Sequence, residues 1–458
     1  MATATATAIA QKPRLSFWQI WNMSFGFLGI QFGFALQNGN ASRILQTFGA
    51  DVEHLSWFWL AAPVTGIIIQ PIIGHYSDRT WNRLGRRKPY FLTGAILSGL
   101  ALFFMPNSAL LAALIPPIVV GASMLMIMDA SFNVAMEPFR ALVADNLPDS
   151  QRSTGFSVQT CLIGVGAVIG SWLPYILAEY FGVAKTAAPG HIPDNVLFSF
   201  YTGGAVLILC ILYTIFTTKE YAPEEYASFY STEQLAVEEK SGLSSIFNDL
   251  KLMPTTMRQL GLVQFFSWFA LFSMWVYSTP AIADHIYHVK SGDTSSITYN
   301  NASNWVNVLF GVYNGVSAIY ALILPAVARL TSRKIAHALS LIAGGIGLLS
   351  IFFIHDPKML VFSMIGIGLA WGSILAMPYA ILSGSIPAKK MGVYMGIFNF
   401  FITMPQIING IVGGPIVKYF YNGHTIYALV LAGILMFCAA VAVLYVQDNR
   451  DVRIKNNY

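Results

Sequence analysis

The chain has 458 residues, of which 55% are hydrophobic and only 10% are charged, and its formal net charge is +5. A soluble domain carries roughly a quarter charged residues, so this composition excludes an ordinary soluble protein and indicates a surface that mostly faces lipid. The positive charge does not indicate nucleic-acid binding, because the sequence has no basic patch with interleaved aromatic residues on a soluble segment. Cys161, Cys210 and Cys438 stand in apolar runs and fit neither metal-ligand spacing nor a disulfide framework.

Apolar segments of about twenty residues, the length that crosses roughly 30 Å of hydrocarbon, recur twelve times along the chain. The polar stretch 218–257 separates the first six from the last six and predicts a cytoplasmic linker. We therefore predict an all-α membrane protein with twelve transmembrane helices in two pseudo-symmetric halves, an N-terminal bundle over 1–217 and a C-terminal bundle over 258–458. The predicted spans are 16–38, 55–76, 89–106, 112–140, 154–181, 195–217, 258–286, 303–328, 335–354, 359–386, 391–417 and 424–446.

Basic residues are distributed unevenly among the predicted loops. With both termini in the cytoplasm, twenty lysines and arginines fall in inward segments and five in outward segments. This bias follows the positive-inside rule. We therefore expect a multi-pass protein of the cell inner membrane with both termini cytoplasmic, and the same bias explains the net positive charge.

Internal repetition supports the division into two halves. The segment 141–148, after the fourth span, matches the segment 380–387, after the tenth, at a constant offset of 239 residues. Parallel six-helix repeats of this kind hold a substrate site near mid-membrane between the halves. Tyr379 stands where Arg140 would repeat, so we expect ion coupling in the first half and mostly hydrogen bonding or stacking in the second.

The fourth span carries an acid inside an apolar run. Asp129 and Arg140 are eleven residues apart, close to three helical turns, so both project from one face of the helix. Asn133 and Glu137 lie roughly along the same stripe. An ionised carboxylate in lipid is costly, so an intramembrane acid with a basic partner predicts a functional cavity, and the alternative is a polar cluster that only joins helices.

Amides and tryptophans on other spans are further candidates for this cavity. Gln264, Trp268 and Trp275 share a face of the seventh span through spacings of four and seven residues. Asn399 and Gln406 align on the eleventh span through a spacing of seven. Flat apolar faces suit sugar ring carbons and amides suit hydroxyls, although lipid-facing or packing roles stay open for the tryptophans.

Two glutamines on the first span complete the candidates. Gln31 and Gln37 lie about 120° apart around a helix, so we expect that they do not both face the cavity. Gln31 lies nearer mid-membrane within the predicted span. The scattered histidines lack a metal-ligand pattern, so no metal is predicted.

A basic loop joins the second and third spans and predicts a gating and topology device. Charge pairs between this loop and the end of the fourth span would hold the inward side closed and break when that side opens, and the alternative is simple positive-inside anchoring. The residues of the predicted device are Asp78, Arg79, Arg83, Arg86 and Arg87 in the loop, with Asp145 and Arg152 at the end of the fourth span.

Five stretches in consistent order resemble one family. The loop 74–89, GHYSDRTWNRLGRRKP, resembles the loop motif of the major facilitator superfamily in the form used by sucrose-transporter-like proteins, which are glycoside–pentoside–hexuronide cation symporters. The stretches 29–37, 59–71, 129–145 and 392–406 resemble the first, second, fourth and eleventh helices of that family. The short loops are typical of a bacterial member.

The resemblance implies a proton-coupled symporter, not an enzyme, that imports a disaccharide or related glucoside of the sucrose or maltose type by alternating access. It implies that Asp129 carries the proton and Arg140 binds the sugar. Glu137 stands where plant relatives have a small residue, so it is a second candidate for proton coupling. The implied substrate-binding set is Asp129, Arg140, Asn133, Gln31, Gln37, Gln264, Trp268, Asn399 and Gln406.

The coupling ion is expected to be the proton, with no other cofactor. Sodium symporters of this superfamily usually need carboxylates from two helices, and the second span has no acid between Leu55 and Tyr76. We expect a monomer whose partners are a small-molecule sugar, the proton and the lipid bilayer, and no nucleic acid. The alternatives are a proton antiporter or exporter of another small molecule on the same scaffold, and a non-transporting sugar sensor.

Overall fold

The structure is a computed structural model and describes residues 12–111, 113–229, 253–289, 293–383, 385 and 391–448. Over these residues the chain forms fifteen α-helices and no β-strand. The helices are α1 Phe17–Ser24, α2 Gly26–Thr47, α3 Leu55–Phe58, α4 Ala61–Arg79, α5 Lys88–Phe104, α6 Pro117–Asn146, α7 Asp149–Glu179, α8 Asp194–Thr217, α9 Pro223–Ser228, α10 Thr255–His285, α11 Ile297–Leu330, α12 Arg333–Phe353, α13 Leu360–Ser383, α14 Met391–Phe420 and α15 Ile426–Leu444.

Twelve membrane spans are built from these helices. Nine of the described helices, α6–α8 and α10–α15, are each long and apolar enough to cross a bilayer. The other three spans are α1 with α2, α3 with α4, and the shorter apolar helix α5. The predicted fold of twelve transmembrane helices in two six-helix halves is therefore confirmed, with α1–α8 in the first half and α10–α15 in the second.

The positions at which several helices begin are explained by the residues at their N-termini. At α1, the Ser16 hydroxyl accepts a hydrogen bond from the Gln19 backbone N–H and the Gln19 side chain accepts one from the Ser16 backbone N–H, which satisfies two amides of the first turn. Pro148, Pro193 and Pro254 occupy the N-cap positions of α7, α8 and α10. Proline suits the edge of a helix because its missing N–H removes no intrahelical hydrogen bond there.

The two halves pack as separate bundles that meet along a few helices. In the first half, α2 packs against α7 and α8, and α5 packs against α6. In the second half, α12 packs against α13 and α15, and α10 packs against α15. The halves meet where α7 contacts α11, where α2 contacts α10 and α11, and where α3 and α4 contact α14.

Close contact between the halves requires glycine at several positions, of which two are examples. A Cβ atom at Gly414 of α14 would lie 1.8 Å from the Glu53 carbonyl oxygen. A Cβ atom at Gly311 of α11 would lie 2.0 Å from the Trp172 Nε1 atom of α7. Both distances are far shorter than any van der Waals contact, so a larger residue at either site would push the halves apart.

Two of the largest differences from the predicted spans are at polar helix ends. The first span continues to Thr47 instead of ending at residue 38, and the eighth begins at Ile297 instead of residue 303. The added turns carry buried polar side chains that face the other half rather than lipid, so hydropathy alone truncated both spans. The predicted linker 218–257 contains the short helix α9, but its residues 230–252 lie outside the described residues.

Candidate functional site between the two helical halves

Asp129 is buried in the middle part of α6, where its side chain is 2% exposed. One carboxylate oxygen accepts a hydrogen bond from the side-chain amide of Gln37 in α2, which is also buried. Gln37 lies ten residues before the end of α2 and Asp129 lies twelve residues after the start of α6, and the two helices run in opposite directions. The structure therefore brings Gln37, rather than Gln31, to the acid, and Gln31 is half-buried on the same helix.

Asn133 connects the acid-bearing helix to α4. Its Nδ2 atom donates to the Asp129 backbone carbonyl at 2.9 Å, and its Oδ1 atom accepts from Gln70 Nε2 at 2.7 Å. A longer contact of 3.4 Å joins Asn133 to the hydroxyl of Thr65. Asp129 and Asn133 thus lie on one polar face of α6, as their spacing predicts, and this face is held by amides from α2 and α4.

Arg140 is exposed on the same helix and does not contact Asp129 through any described hydrogen bond or ion pair. Its charge lies within electrostatic range of Tyr379 in α13 of the second half. These two positions are related by the 239-residue repeat, so repeat-related residues of α6 and α13 approach each other between the halves. The side chain of Glu137 lies outside the described part of the chain.

Three tryptophans form a cluster in the second half. Trp268 and Trp275 of α10 contact each other with ring centroids 6.2 Å apart, so they share a face of the helix. Trp371 of α13 contacts both rings at 5.7 Å, in edge-to-face geometry. The Nε1 atom of Trp275 donates to the Tyr313 hydroxyl at 3.1 Å. Sequence reasoning missed Trp371 and Tyr313, because their spans contain no spacing that ties them to α10.

Gln264 lies one turn before Trp268 on α10 and is 0% exposed. Neither its amide nitrogen nor its amide oxygen has a hydrogen-bond partner among the described residues, and the same holds for Trp268 Nε1. Leaving a buried polar group unpaired costs about 1–3 kcal/mol. This turn of α10 therefore offers a donor and an acceptor to a polar ligand.

The two amides predicted on α14 differ in their surroundings. Gln406 is buried, and its Nε2 atom donates to the Ile402 carbonyl of its own helix at 3.0 Å. Asn399 is half-buried, near the start of the described side chains of α14. The spacing of seven residues places Asn399 and Gln406 on one face of α14. One N–H donor of the Gln406 side chain is already hydrogen-bonded within its own helix.

A polar seal joins the halves at the far end, which we define as the end where α2 stops and α11 begins. Arg43 of α2 is 1% exposed, and its guanidinium donates to Asn304 Oδ1 at 2.8 Å and to Asn300 Oδ1 at 2.5 Å. Asn40 and Asn307 exchange two hydrogen bonds of 3.0 and 3.1 Å. Asn300, Asn304 and Asn307 repeat at spacings of four and three, a helical signal that could have identified this face of α11 from sequence.

Further contacts close the same end around this seal. Ser42 Oγ donates to the Val276 carbonyl at 3.0 Å, and Trp172 Nε1 donates to the Val308 carbonyl at 3.1 Å. On the other side, Lys418 Nζ pairs with Glu53 at 2.6 Å. The far end of the molecule is therefore closed by contacts from α2, α7, α10, α11 and α14.

The basic loop lies at the near end, where α1 begins and α15 ends. Arg86 and Arg87 both contact the Asp145 carboxylate at the end of α6, at 2.5 and 3.1 Å. Burial would lower the pKa of Arg86, but the Asp145 charge and the hydroxyl of Tyr226 outweigh burial and raise that pKa, so the guanidinium stays charged. All these residues belong to the first half or to α9, so the pairs join α6 to its own bundle.

The other residues of the predicted gating device are placed differently. Arg83 is exposed at the tip of the loop. The side chains of Asp78, Arg79 and Arg152 lie outside the described residues. Among the members of the predicted set whose side chains are described, the structure brings together Arg86, Arg87 and Asp145.

Glu220, just after the first half, caps the start of α5. Its carboxylate accepts hydrogen bonds from the backbone N–H groups of Arg86, Arg87 and Lys88 at 2.8, 2.9 and 3.0 Å. Gly85 has a φ of +124°, and a Cβ atom there would lie 2.7 Å from Glu220 Oε1. The glycine of the loop motif therefore makes room for this carboxylate. Sequence reasoning assigned Glu220 only to the linker, since no local pattern connects residues this distant.

The second half repeats this arrangement in simpler form. Arg333, at the start of α12, donates from Nε to Asp448 at 2.9 Å and from Nη1 to the Ala380 carbonyl at 2.8 Å. Asp448 follows the last span of its half, as Glu220 follows the last span of the first half. Each half therefore ties the start of its third helix to an acid that follows its sixth helix.

Comparisons with known proteins agree with this architecture. The chain matches the family model of the Major Facilitator Superfamily over residues 23–409. It is 24% identical over 479 residues to a sucrose transport protein of Oryza sativa subsp. indica, covering 93% of this chain and 86% of that protein. It is 27% identical over 289 residues to the general alpha-glucoside permease of Schizosaccharomyces pombe, covering 59% of this chain and 49% of that protein.

Solved structures share the fold at low sequence identity. A D-xylose-proton symporter superposes with a TM-score of 0.65 at 14% identity, covering 94% of this chain and 98% of that chain. A nucleoside transporter superposes with a TM-score of 0.64 at 14% identity, with the same coverage. The chain therefore belongs to the Major Facilitator Superfamily and is a multi-pass membrane transporter, not an enzyme.

Proposed function

We propose that this protein is a proton-coupled sugar importer of the glycoside–pentoside–hexuronide cation symporters, with a disaccharide or related glucoside of the sucrose or maltose type as substrate. The observation that carries the proposal is the buried Asp129, held by the Gln37 amide in the middle of the first half. Relatives named for sucrose and alpha-glucoside transport support the substrate class. A shared fold with a D-xylose-proton symporter is compatible with proton coupling.

In this proposal Asp129 is the proton site. Among the described residues its carboxylate is held by a neutral amide rather than by a cation, so burial in lipid favours its protonated form. A proton taken from outside neutralises the acid before the halves move. One charge crossing 100 mV contributes about 2.3 kcal/mol, and about 1.4 kcal/mol is a factor of ten in concentration, so one proton sustains a useful sugar gradient.

The sugar lies between the halves in this proposal. Arg140, opposite Tyr379, donates to sugar hydroxyls, and the unpaired amide of Gln264 accepts and donates further hydrogen bonds. The edges and faces of Trp268 and Trp371 pack against ring carbons. The proton removes the buried charge of Asp129, and the sugar pairs the amide of Gln264. A state that holds both therefore has neither a buried charge nor an unpaired amide between the halves, so proton and sugar favour one another.

Alternating access supplies the transport step. In this proposal the near end faces the cytoplasm, as the positive-inside bias favours. The far-end seal then closes the outer side of the transporter. Import begins when the Arg43 contacts break and the outer side opens. We propose a monomer in the inner membrane of a bacterial cell.

Proteoliposomes that enclose a pH-sensitive dye test the proposal. Sucrose, maltose and glucose are offered from outside, and entry of protons that depends on sugar is measured. We expect acidification with a disaccharide, and its loss in Asp129→Asn. The matched control is Asp284→Asn, which makes the same change at a half-exposed acid at the far end of α10 and should leave proton entry unchanged.

The outcomes separate the alternatives. Sugar-dependent proton exit, or proton movement only with apolar compounds, would identify an antiporter or exporter. Sugar binding without flux of sugar or protons would identify a sensor. Proton entry that survives in Asp129→Asn would remove the acid from the coupling step.

A further inference from the structure

We propose that a pocket at the near end of the first half binds the headgroup of an anionic phospholipid. The pocket lies where the loop before α5 meets the last turn of α8 and the residues after it, and its volume is about 500 Å³. This volume falls within the range of roughly 300–1,000 Å³ found for small-molecule sites. Its lining includes Trp81, Arg83, Leu84, Lys88, Phe216 and Lys219. None of these residues takes part in the proposed sugar or proton path.

The charge of the pocket favours an anion. Arg83 and Lys219 are both exposed, and within the described chain neither side chain has a hydrogen-bond or ion-pair partner. Lys88 also lines the pocket, and its ammonium donates to the Thr218 carbonyl. Glu220 is the acid of the lining, but its two oxygens already accept the three backbone N–H groups at the start of α5. Two cationic groups therefore remain available to a ligand.

The apolar part of the lining favours a lipid over a soluble anion. Phe216 is in the last turn of α8 and is 82% exposed, and Trp81 and Leu84 are exposed on the facing loop. This position at the end of a span is the boundary between hydrocarbon and headgroups. A phospholipid places a phosphate directly beside its acyl chains, so it matches cationic and apolar groups at the same site. Basic pockets of this kind between transmembrane helices bind acidic headgroups.

The pocket also lies beside the contacts that hold the near end together. Its lining contains Gly85 and Glu220, which meet at the start of α5. A bound headgroup would therefore stabilise the loop and the end of α8 against one another. The effect is expected on the stability of the first half, and Asp129 is remote from the pocket along α6.

Native mass spectrometry of the full-length, delipidated protein tests this site. The protein is titrated with phosphatidylglycerol and, separately, with phosphatidylcholine. We expect wild type to retain phosphatidylglycerol preferentially. The double variant Arg83→Gln with Lys219→Gln should bind it about 30-fold more weakly, since each basic residue near a lipid surface contributes a factor of roughly five. Both side chains lie outside the Glu220 and Asp145 contacts, so this variant should fold.

The matched control is the double variant Arg329→Gln with Lys334→Gln, which removes two charges at the same end of the second half. It should retain phosphatidylglycerol like wild type. Equal retention by wild type and the pocket variant, or equal retention of both lipids by wild type, would overturn the proposal. Displacement of the lipid by free glycerol phosphate at equal concentration would assign the pocket to a soluble phosphate and overturn it too.

A second readout keeps the proposal testable if the double variant unfolds. Phosphatidylglycerol with brominated acyl chains should quench the fluorescence of Trp81, measured as the difference between wild type and Trp81→Phe. Phosphatidylcholine with the same bromination should quench it less. Equal quenching by the two lipids would contradict a headgroup-selective site.

Discussion

Arg43 of α2 donates a hydrogen bond of 2.8 Å to Asn304 of α11, so a buried guanidinium joins the two halves. Asn300 accepts a second bond at 2.5 Å, while Arg43 Nε has no partner among the described residues. A buried charge held by neutral amides is costly to desolvate. The hydrogen bonds of Arg43 therefore favour the closed seal, whereas the loss of hydration of its guanidinium favours opening.

Replacing Asn304 with alanine should open the far end. The change leaves Arg43 buried with one amide fewer, and an unpaired charged donor costs about 1–3 kcal/mol or more. We expect the population with an open far end to rise by a factor of about 5 to 150. Spin labels at Asp51→Cys, which is exposed, and at Asp284→Cys, which is half-exposed, lie on the two halves at this end and should report longer distances.

The control for this variant is Asn314→Ala in the same helix. Asn314 donates to the Phe310 carbonyl of its own helix at 2.9 Å and does not cross between the halves. An unchanged distance distribution in Asn304→Ala would show that the Arg43 contacts do not hold the seal.

Gln264→Leu should increase the stability of the protein and weaken its binding of sugar. Removing a buried amide that has no described partner should raise the melting temperature, because the unpaired group costs about 1–3 kcal/mol in the folded state. If the sugar bonds to this amide, the KM for uptake should rise roughly tenfold. Thermal unfolding and initial uptake rates measure the two effects.

Gln159→Leu in α7 is the matched control. Gln159 is buried and its Nε2 atom also lacks a partner in the described chain, but it is outside the proposed site. It should gain stability with an unchanged KM. A KM in Gln264→Leu that is equal to or lower than that of wild type would exclude Gln264 as a sugar ligand.

Arg140→Lys should impair sugar binding although the charge is kept. The planar guanidinium offers donors in a fixed fork, whereas an ammonium acts as a point charge. We expect at least tenfold weaker sugar counterflow, which is measured without a proton gradient and therefore reports binding rather than coupling. Arg258→Lys, at an exposed position near the start of α10, should leave counterflow intact. Wild-type counterflow in Arg140→Lys would remove the guanidinium from the substrate site.

Gly85→Ala should destabilise the near end of the first half. The φ of +124° disfavours any L side chain, and the added Cβ atom would meet Glu220 Oε1. We expect a lower melting temperature, by an amount equivalent to about 2–4 kcal/mol. Gly49→Ala is the control, because Gly49 has a φ of +95° with no atom within 4 Å of its added Cβ, so it reports backbone strain alone. Equal losses in the two variants would mean that the Glu220 contact contributes nothing.

The fold could be predicted from the sequence because each apolar run that is long enough to cross a bilayer forms one span. It failed at Arg43 and Asn300, where polar residues lengthen two helices by facing the other half instead of lipid. Helical periodicity placed Asp129 and Asn133 on one face of α6, but it compares residues only along one helix. The partner of Asp129 is Gln37, 92 residues away, and such a pairing depends on how helices pack. The repeat offset was more informative, since it relates Arg140 to Tyr379, which lie within electrostatic range of each other across the halves.

The buried guanidinium of Arg43 has an electrical consequence for the closed state. A fixed positive charge buried between the halves repels hydronium and metal cations, as arginines in selective pores do. Passive cation leakage across the closed far end is thereby suppressed. In the proposed symporter, the proton gradient would then be drawn down only when the whole molecule completes a cycle.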